Sequence, residues 1–400
     1  MKYDVIVVGA GPAGATAAKF LAEKGIRTIL LDKDKFPRVK LCGGGIPART
    51  LKKYEYLEDE GLINSYTYGA NVYFPFYKDK VKIEMKEPMH AMVIRKDFDN
   101  ALAELAKDNG SNFEDGCEVK DIKILEDSVK IITKNNNSFE SRMVIGADGI
   151  WSIIAKKIGL GQNYKNFGVC LVQEIPMEKK VINEYFPGNK LAHVHINYSG
   201  IAGYGWVFPK NDCVNIGFGE LSKRDSENKM NLREIFNDYI KTIKENKIIP
   251  KELKFDNVKG AAVPSCHIEK SYSEKVLLCG EAAGFINFGG GGIDYALTSG
   301  EIAANVAIDA LEKSDTSERF LSKYEKRWME DFGKDIKIFT RLQSRFGKKM
   351  EKFLTLARDD KKVFELMIDI FMGNKKFCEN KGKISRRFLF LYLKDLFSRK

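Results

Sequence analysis

Along this chain, runs of apolar residues end repeatedly on glycine. Val5-Ile-Val-Val8 breaks at once into Gly9-Ala-Gly-Pro-Ala-Gly14, and an alanine-rich stretch follows. That order predicts a buried strand, a glycine turn and a helix, with Ile29-Leu-Leu-Asp32 as a second strand ending in a carboxylate. Two more apolar runs enter glycine turns, Met143-Val-Ile-Gly-Ala-Asp-Gly149 and Val276-Leu-Leu-Cys-Gly-Glu-Ala-Ala-Gly284. Short buried strands alternating with helices predict an α/β fold, a doubly wound Rossmann-like layer. Within it, 101–110 reads as a helix with a glycine stop, and 119–133 as a hairpin followed by the turn residues Asn135-Asn-Asn137.

A second pattern holds over 61–87 and 166–259. Ala192-His-Val-His-Ile196 and Val214-Asn-Ile-Gly-Phe218 alternate apolar and polar residues, the period of antiparallel strands with one wet face. Residues 231–246 read as a helix beside that sheet, and beyond 311 the pattern turns helical and rich in Phe, Leu, Lys and Arg. The expected organisation is therefore interleaved. Residues 1–60, 88–165 and 260–310 form a nucleotide-binding domain, 61–87 and 166–259 an antiparallel β-sheet substrate domain, and 311–400 a C-terminal helical region.

The first glycine turn carries recognisable chemistry. Gly9 permits the sharp turn, Gly11 lets a pyrophosphate approach the backbone at the positive end of the helix, and Gly14 lets helix and strand pack closely. Asp32 stands at the spacing of ~20 residues where an acid accepts ribose hydroxyls, so the segment reads as a dinucleotide site.

The three turns together resemble the FAD fingerprints of the flavoprotein hydroxylase and reductase superfamily. The resemblance implies FAD as cofactor, with Glu281 on its ribityl or ribose side and Arg95 opening the long helix of the FAD domain. It also assigns Ala13, Lys33, Cys42, Gly43, Gly44, Val119, Asp148, Gly280, Gly291, Gly292 and Ile293 to the cofactor. Two positions depart from the superfamily pattern: Glu281 stands where Asp is usual, which lengthens the arm, and Phe288 where Pro is frequent. The run Gly289–Gly292 precedes a helix start near Ile293, so its N–H groups can face the flavin's pyrimidine edge and stabilise negative charge there. Of Lys33, Lys35, Arg38 and Lys40, most are expected to be solvated, with one or two touching FAD phosphates.

Two further motifs, Lys40-Leu-Cys-Gly-Gly-Gly-Ile46 and Tyr204-Gly-Trp-Val-Phe-Pro209, resemble signatures of the geranylgeranyl reductase family. Those flavoenzymes saturate carbon–carbon double bonds of isoprenoid chains on archaeal lipids, chlorophyll precursors or quinones, with hydride from reduced flavin. The resemblance places Cys42 near flavin and substrate, either as donor of the accompanying proton or as part of the pocket wall. Tyr204, Trp206 and Phe208 share one strand face, with Pro209 at its end. They are read either as an aromatic core stripe or, following the resemblance, as the wall of an isoprenoid pocket. Flavin halogenases carry a similar signature, so a monooxygenase or halogenase is the alternative reaction; a quinone-linked electron-transfer flavoprotein and a non-catalytic lipid carrier are further readings. There is no second glycine fingerprint, so electrons are expected from outside, from NAD(P)H or a reduced carrier protein.

Composition narrows this picture. At 400 residues, 44% hydrophobic, the chain can fill two or three cores, yet no window approaches the ~18 apolar residues of a membrane span. The seven cysteines lie scattered without paired spacing, which suits a reduced cytoplasmic setting and argues against a cysteine-bound cluster. His193 and His195 share a strand face without a third ligand at suitable spacing, so no metal is expected. Net charge is +11, of which nine basic against two acidic residues over 374–400 supply +7. No nucleic-acid fold accompanies that charge, and an anionic membrane surface is the expected partner, with the protein peripheral at the inner face. Within the tail, Phe388, Leu389, Tyr392, Leu393, Leu396 and Phe397 can form one broad apolar face, docked on protein or lying in the membrane interface.

Overall fold

The computed structural model describes residues 2–74, 80–161, 167–220, 231–287, 290–346, 360–371 and 375–398, with the backbone alone at 339, 342–346, 361, 368, 371 and 392–398. Phe288 and Gly289 therefore lie outside the described residues, as do the side chains of Tyr392, Leu393, Leu396 and Phe397.

Four short, fully buried strands, Val5–Val8, Thr28–Leu31, Met143–Gly146 and Val276–Leu278, occupy the middle of a six-stranded sheet. Its strands run parallel, with Asn112–Glu114 at one edge, and only the other edge strand, Tyr272–Ser273, is reversed. Burial on both faces explains why these strands read as unbroken apolar runs rather than alternating ones. The helices Pro12–Glu23, Arg95–Asp108 and Ile293–Glu312 pack together over the sheet. The hairpin region adds a third strand, Ser138–Ser141, beside Val119–Ile124 and Val129–Thr133.

The second sheet has seven strands, in the order 259–264, 167–176, 213–220, 203–209, 192–196, 69–73 and 81–84. It is antiparallel except where Ala192–Ile196 runs parallel to Gly69–Tyr73. Lys259–Pro264 pairs with Phe167–Pro176, so this sheet takes in chain beyond the expected boundary at 260. Helix Leu232–Glu245, started by an Asn231/Glu234 capping box, covers one face through Ile235, Phe236, Tyr239 and Ile243.

The expectation of a wet face on these strands is overturned. His193 and His195 are buried against Tyr73, Phe186 and Tyr239 on the helix-covered side. Asn215 is buried on the opposite side, against the first domain. Each of these polar side chains finds a partner in the interior, which is what makes burial tolerable.

Beyond Glu312 the chain is helical. Trp328, the last residue of helix Glu318–Trp328, packs on Phe285 and donates its Nε1–H to Ser271 Oγ at 2.9 Å, which docks this region behind the third glycine turn. Helix Phe377–Ser398 begins where two backbone N–H groups, of Phe377 and Cys378, meet the Asp335 carboxylate. Ile384 and Leu391 are buried, and Leu391 and Phe388 pack with Val363 and Met367 of helix Lys361–Phe371. The tail is thus docked, but not along a single face: Leu389 and Phe390 remain 60% and 58% exposed. Among the described residues, no helix is long and apolar enough to cross a membrane.

Candidate functional site

The first glycine turn divides its labour among three positions. Gly9 has φ +102°, and a Cβ there would lie 2.3 Å from the Ala147 carbonyl oxygen; one on Gly14 would lie 1.8 Å from the Gly9 oxygen. Those two glycines are obligatory for packing. A Cβ on Gly11 would meet only Arg38 Nη2, 3.6 Å away, so this part of the backbone faces open space. Gly11 is also the N-cap of helix Pro12–Glu23 and offers no side-chain cap, which leaves the helix's first N–H groups aimed into that space. Ala13 is closed in from behind by Gly280 and Gly300.

Asp32 is buried at the end of its strand. Its Oδ2 accepts Ala10 N–H at 2.7 Å and its Oδ1 accepts Asp34 N–H at 2.9 Å, so one carboxylate braces the glycine turn and the following loop. Burial raises its pKa above the usual carboxylate value. Lys33 beside it is exposed. The Asp32 carbonyl accepts Cys117 N–H at 2.7 Å, which brings the start of the strand at Val119 to the same end of the sheet.

Next to Gly11 lies a buried charge cluster. Arg95 binds Asp99 through Nε and Nη2, both at 2.7 Å, and Arg38 Nη1 stands 2.9 Å from the same carboxylate. Two guanidinium groups thus share one fully buried acid, and Arg38, which also lies 4.0 Å from Asp32 and 3.9 Å from Asp34, borders the open space at Gly11, where a pyrophosphate would sit.

The remaining fingerprints close the site. Asp148 spends its carboxylate locally, accepting from Ser152 Oγ–H at 2.6 Å and Ile153 N–H at 2.7 Å to start the helix Ile153–Lys157. Glu281 extends beside Gly149 and pairs with Lys40 Nζ at 3.2 Å. Asn287 organises the glycine run by accepting Gly291 N–H on Oδ1 at 2.8 Å. Gly292 caps helix Ile293–Glu312 without a side-chain acceptor, so this second helix N-terminus is also uncapped.

The Cys42 loop packs on the seven-stranded sheet. A Cβ on Gly43 would come within 2.9 Å of the Phe208 ring and 3.5 Å of Trp206 Nε1, so the loop lies flat on the aromatic strand. Gly44, at φ +76°, leaves no room for a side chain between Val93 and Lys210, and its N–H donates to Cys42 Sγ at 3.4 Å. The wall itself is continuous: Tyr204 and Trp206 have ring centroids 5.5 Å apart, and Trp206 and Phe208 6.1 Å. Trp206 rests on Gly217, where a Cβ would sit 2.1 Å from the indole. Tyr204 and Phe208 are half-buried, Trp206 and Pro209 buried, and the Tyr204 hydroxyl lies 3.6 Å from where a Gly290 Cβ would be. Burial pushes the Tyr204 phenol well above its ordinary pKa, so it stays protonated. The structure therefore gathers the thiol loop, the aromatic strand and the glycine run around one site.

A model of the FAD binding domain family matches residues 2–326. Digeranylgeranylglycerophospholipid reductase 1 of Methanococcoides burtonii is 32% identical over 84% of this chain and 81% of its own length. The digeranylgeranylglycerophospholipid reductase of Methanosarcina acetivorans is 31% identical over 94% of each. The chain belongs to the geranylgeranyl reductase family of FAD-dependent oxidoreductases. Among solved structures, a geranylgeranyl bacteriochlorophyll reductase-like protein from Thermoplasma acidophilum shares the fold at a TM-score of 0.78, with 24% identity, over 95% of this chain and 98% of that one. The halogenase PltM shares it at 0.65, with 18% identity, over 82% and 73%. A fold common to reductases and halogenases does not choose the reaction.

FAD is the cofactor of this family, and the residues present fit it: two helix N-termini without side-chain caps, a glycine turn open at Gly11 with Arg38 beside it, and the acids Asp32 and Glu281 at the ends of the first and third glycine-turn segments. Sequence reasoning missed Asn215, Glu174, Lys210, Asp99 and Asn287. Trp206 Nε1–H donates to Asn215 Oδ1 at 2.9 Å, while Asn215 Nδ2 donates to the Cys42 carbonyl at 2.9 Å and to Glu174 Oε2 at 3.1 Å. Lys210, fully buried, pairs with Glu174 and donates to the Val93 carbonyl at 2.8 Å. The one signal for Asn215 was a polar residue inside an alternating strand. Among the described residues, no group of His, Cys, Asp and Glu could hold a metal ion.

Proposed function

We propose that this protein saturates the carbon–carbon double bonds of geranylgeranyl chains on a glycerophospholipid, working at an anionic membrane surface. The observation that supports the reading is the Cys42 loop packing through Gly43 on Trp206 and Phe208, which brings a thiol-bearing loop and an aromatic strand together. The names of the similar proteins from Methanococcoides and Methanosarcina support the substrate class.

Bound FAD, once reduced, supplies the hydride. The chain's own residues hold the alkene and complete the addition. Tyr204, Trp206 and Phe208 offer flat apolar area to a polyprenyl chain and keep water away from it. Val194 and Ile196, registered opposite Trp206 and Tyr204, extend that apolar face toward Val72 on the next strand. Cys42 Sγ, held by Gly44 N–H, gives its proton to the alkene carbon that does not take hydride and recovers one from water. Electrons reach the flavin from NAD(P)H or a reduced carrier protein.

The test is anaerobic. Chemically reduced protein mixed with digeranylgeranyl glycerophospholipid in vesicles is expected to lose its reduced-flavin absorbance while the lipid gains hydrogens in pairs by mass spectrometry. The Cys42→Ser variant is expected to keep its FAD and lose most of that rate. If no prenyl lipid reoxidises the flavin, but oxygen with an aromatic substrate yields a hydroxylated or halogenated product, the reductase reading fails.

A further inference from the structure

We propose that Asn215 is a positioning residue for the reduction: its one amide group locks the Cys42 loop and the Trp206 indole into a single unit across the two domains. The proposal rests on the reductase reading of the site, and is independent of whether Cys42 or water gives the proton.

Asn215 is 2% exposed and is registered between Phe208 on one neighbouring strand and Glu174 on the other. Its amide has two hydrogens and a carbonyl oxygen, and all three are used: both hydrogens go to the Cys42 carbonyl and Glu174, and the oxygen takes the indole N–H. Turning the amide over would oppose donor to donor at Trp206 and acceptor to acceptors at Cys42 and Glu174, so the chemistry fixes its orientation. Trp206 already lies on Gly217, which sets the plane of the ring. The bond to Asn215 sets where the ring sits within that plane.

From Asn215 the contacts form a closed circuit. Glu174 passes to Lys210, Lys210 to the Val93 carbonyl, and Val93 N–H to the Gly44 carbonyl at 2.8 Å, two residues from where the circuit began at Cys42. Charge balances within it, since Lys210 faces Glu174 and Asn215 is neutral. A ring of this kind holds each member in one place, because moving any one breaks two hydrogen bonds in a low-dielectric setting.

The sheet itself does not require an amide at this position. The residues sharing its face on adjoining strands and positions include Val172, Cys170, Gly217 and Gly219, so a leucine of similar size fits the space but leaves the Trp206 N–H and the Cys42 carbonyl without their partner. What the amide adds is directed hold on the two elements that line the reaction site.

The experiment compares FAD-loaded Asn215→Leu and Asn215→Asp with the parent protein. The leucine keeps the volume; the aspartate keeps the acceptor for Trp206 and turns both donors into repulsions. The expected result is a fall in kcat for prenyl reduction of about 10- to 100-fold, the scale of a small misplacement at a reacting centre. KM should stay within about threefold in at least one variant that retains full FAD content and a cooperative urea transition, its midpoint lowered by the polar groups left unpaired. Iodoacetamide alkylation of Cys42, followed by peptide mass spectrometry, is expected to speed up severalfold as the loop is released. That alkylation needs no substrate, so it tests the lock even where the prenyl substrate proves wrong. A parent-like kcat and alkylation rate in both variants overturns the proposal, and so does a loss of kcat that only tracks lost FAD or lost folding.

Discussion

Lys40 Nζ lies 3.2 Å from Glu281 Oε2, an ion pair that ties the loop leading into Cys42 to the third glycine turn. The longer arm of glutamate makes the reach possible and leaves one carboxylate oxygen outside the pair. Both side chains are about one-third exposed, so a contribution of ~0–1 kcal/mol is expected from the pair.

Lys40→Met should therefore weaken FAD binding modestly, by about three- to tenfold, the equivalent of roughly 1 kcal/mol. The deficit should shrink as salt is added, because screening weakens the pair in the parent. Titration of apoprotein with FAD at low and high salt checks both points. An unchanged affinity means the pair is idle, and a loss beyond about 100-fold means that Lys40 touches the cofactor directly.

Asp32→Ala should destabilise the protein even without cofactor. The carboxylate braces Ala10 and Asp34 through two backbone hydrogen bonds, and truncation leaves two N–H groups without their acceptor. About 1–3 kcal/mol per unsatisfied buried group is the usual cost. Urea unfolding of the apoprotein, repeated with FAD present, separates this loss from weakened binding. An apoprotein as stable as the parent would show that Asp32 serves the ligand alone.

The same two carboxylate bonds show what was legible in advance. Gly9, Gly14 and Asp32 work through local sterics and a short strand, so their spacing along the chain already contains their roles. Asn215, Glu174 and Lys210 work through partners far away in sequence, Cys42 and Val93, which only the packed domains bring together. Alternation reports which residues share a face and not what covers it, so the burial of Asn215 and the two strand histidines is not legible in it. Of the apolar positions in the C-terminal helix, docking turns Phe388 and Leu391 inward and leaves Leu389 and Phe390 outside, a choice set by what the helix packs on.

Acidification should destabilise the fold through the two histidines of the seven-stranded sheet. Burial holds His193 and His195 neutral, pushing their pKa values down to about 3 and about 4, with the neighbouring imidazole and Lys80 adding to the effect at His193. The unfolded chain takes up these protons near pH 6.5 and the folded one does not, so stability falls as pH drops from 6.5 toward 4. At pH 5 the loss is about 2 kcal/mol per histidine, from 1.36 kcal/mol per unit. His195 stacks on Tyr73 with ring centroids 4.1 Å apart, and its Nε2 has no hydrogen-bond partner among the described residues. His195→Phe keeps the stacking ring and removes the titration. Urea midpoints at pH 7.5 and 5.0 should draw closer in that variant; a pH dependence equal to the parent's would rule the histidine out as the cause.

Membrane binding, if the proposed setting holds, should depend on two residues the fold leaves bare. Leu389 and Phe390 project from the docked helix beside exposed Arg386, in a tail that carries seven of the chain's eleven net positive charges. Interfacial helices bind by sinking such side chains among the headgroups while basic residues meet anionic lipid. Deleting the chain after Lys383 is a poor test, because it removes the buried Ile384 together with Leu391 and Arg387, which hold the helix to Val363 and Asp360. The double variant Leu389→Glu, Phe390→Ser keeps Ile384, Leu391 and the Arg387–Asp360 pair, and gives up only the Phe390 ring beneath the Arg387 guanidinium. Its FAD content and unfolding midpoint should match the parent, while sedimentation with vesicles containing anionic phospholipid should need about tenfold more lipid or worse, on the scale of the apolar area withheld. Parent binding should weaken as salt rises, since the lysines and arginines contribute through screened charge. Equal vesicle binding by the variant and the parent would place the membrane contact on another part of the molecule.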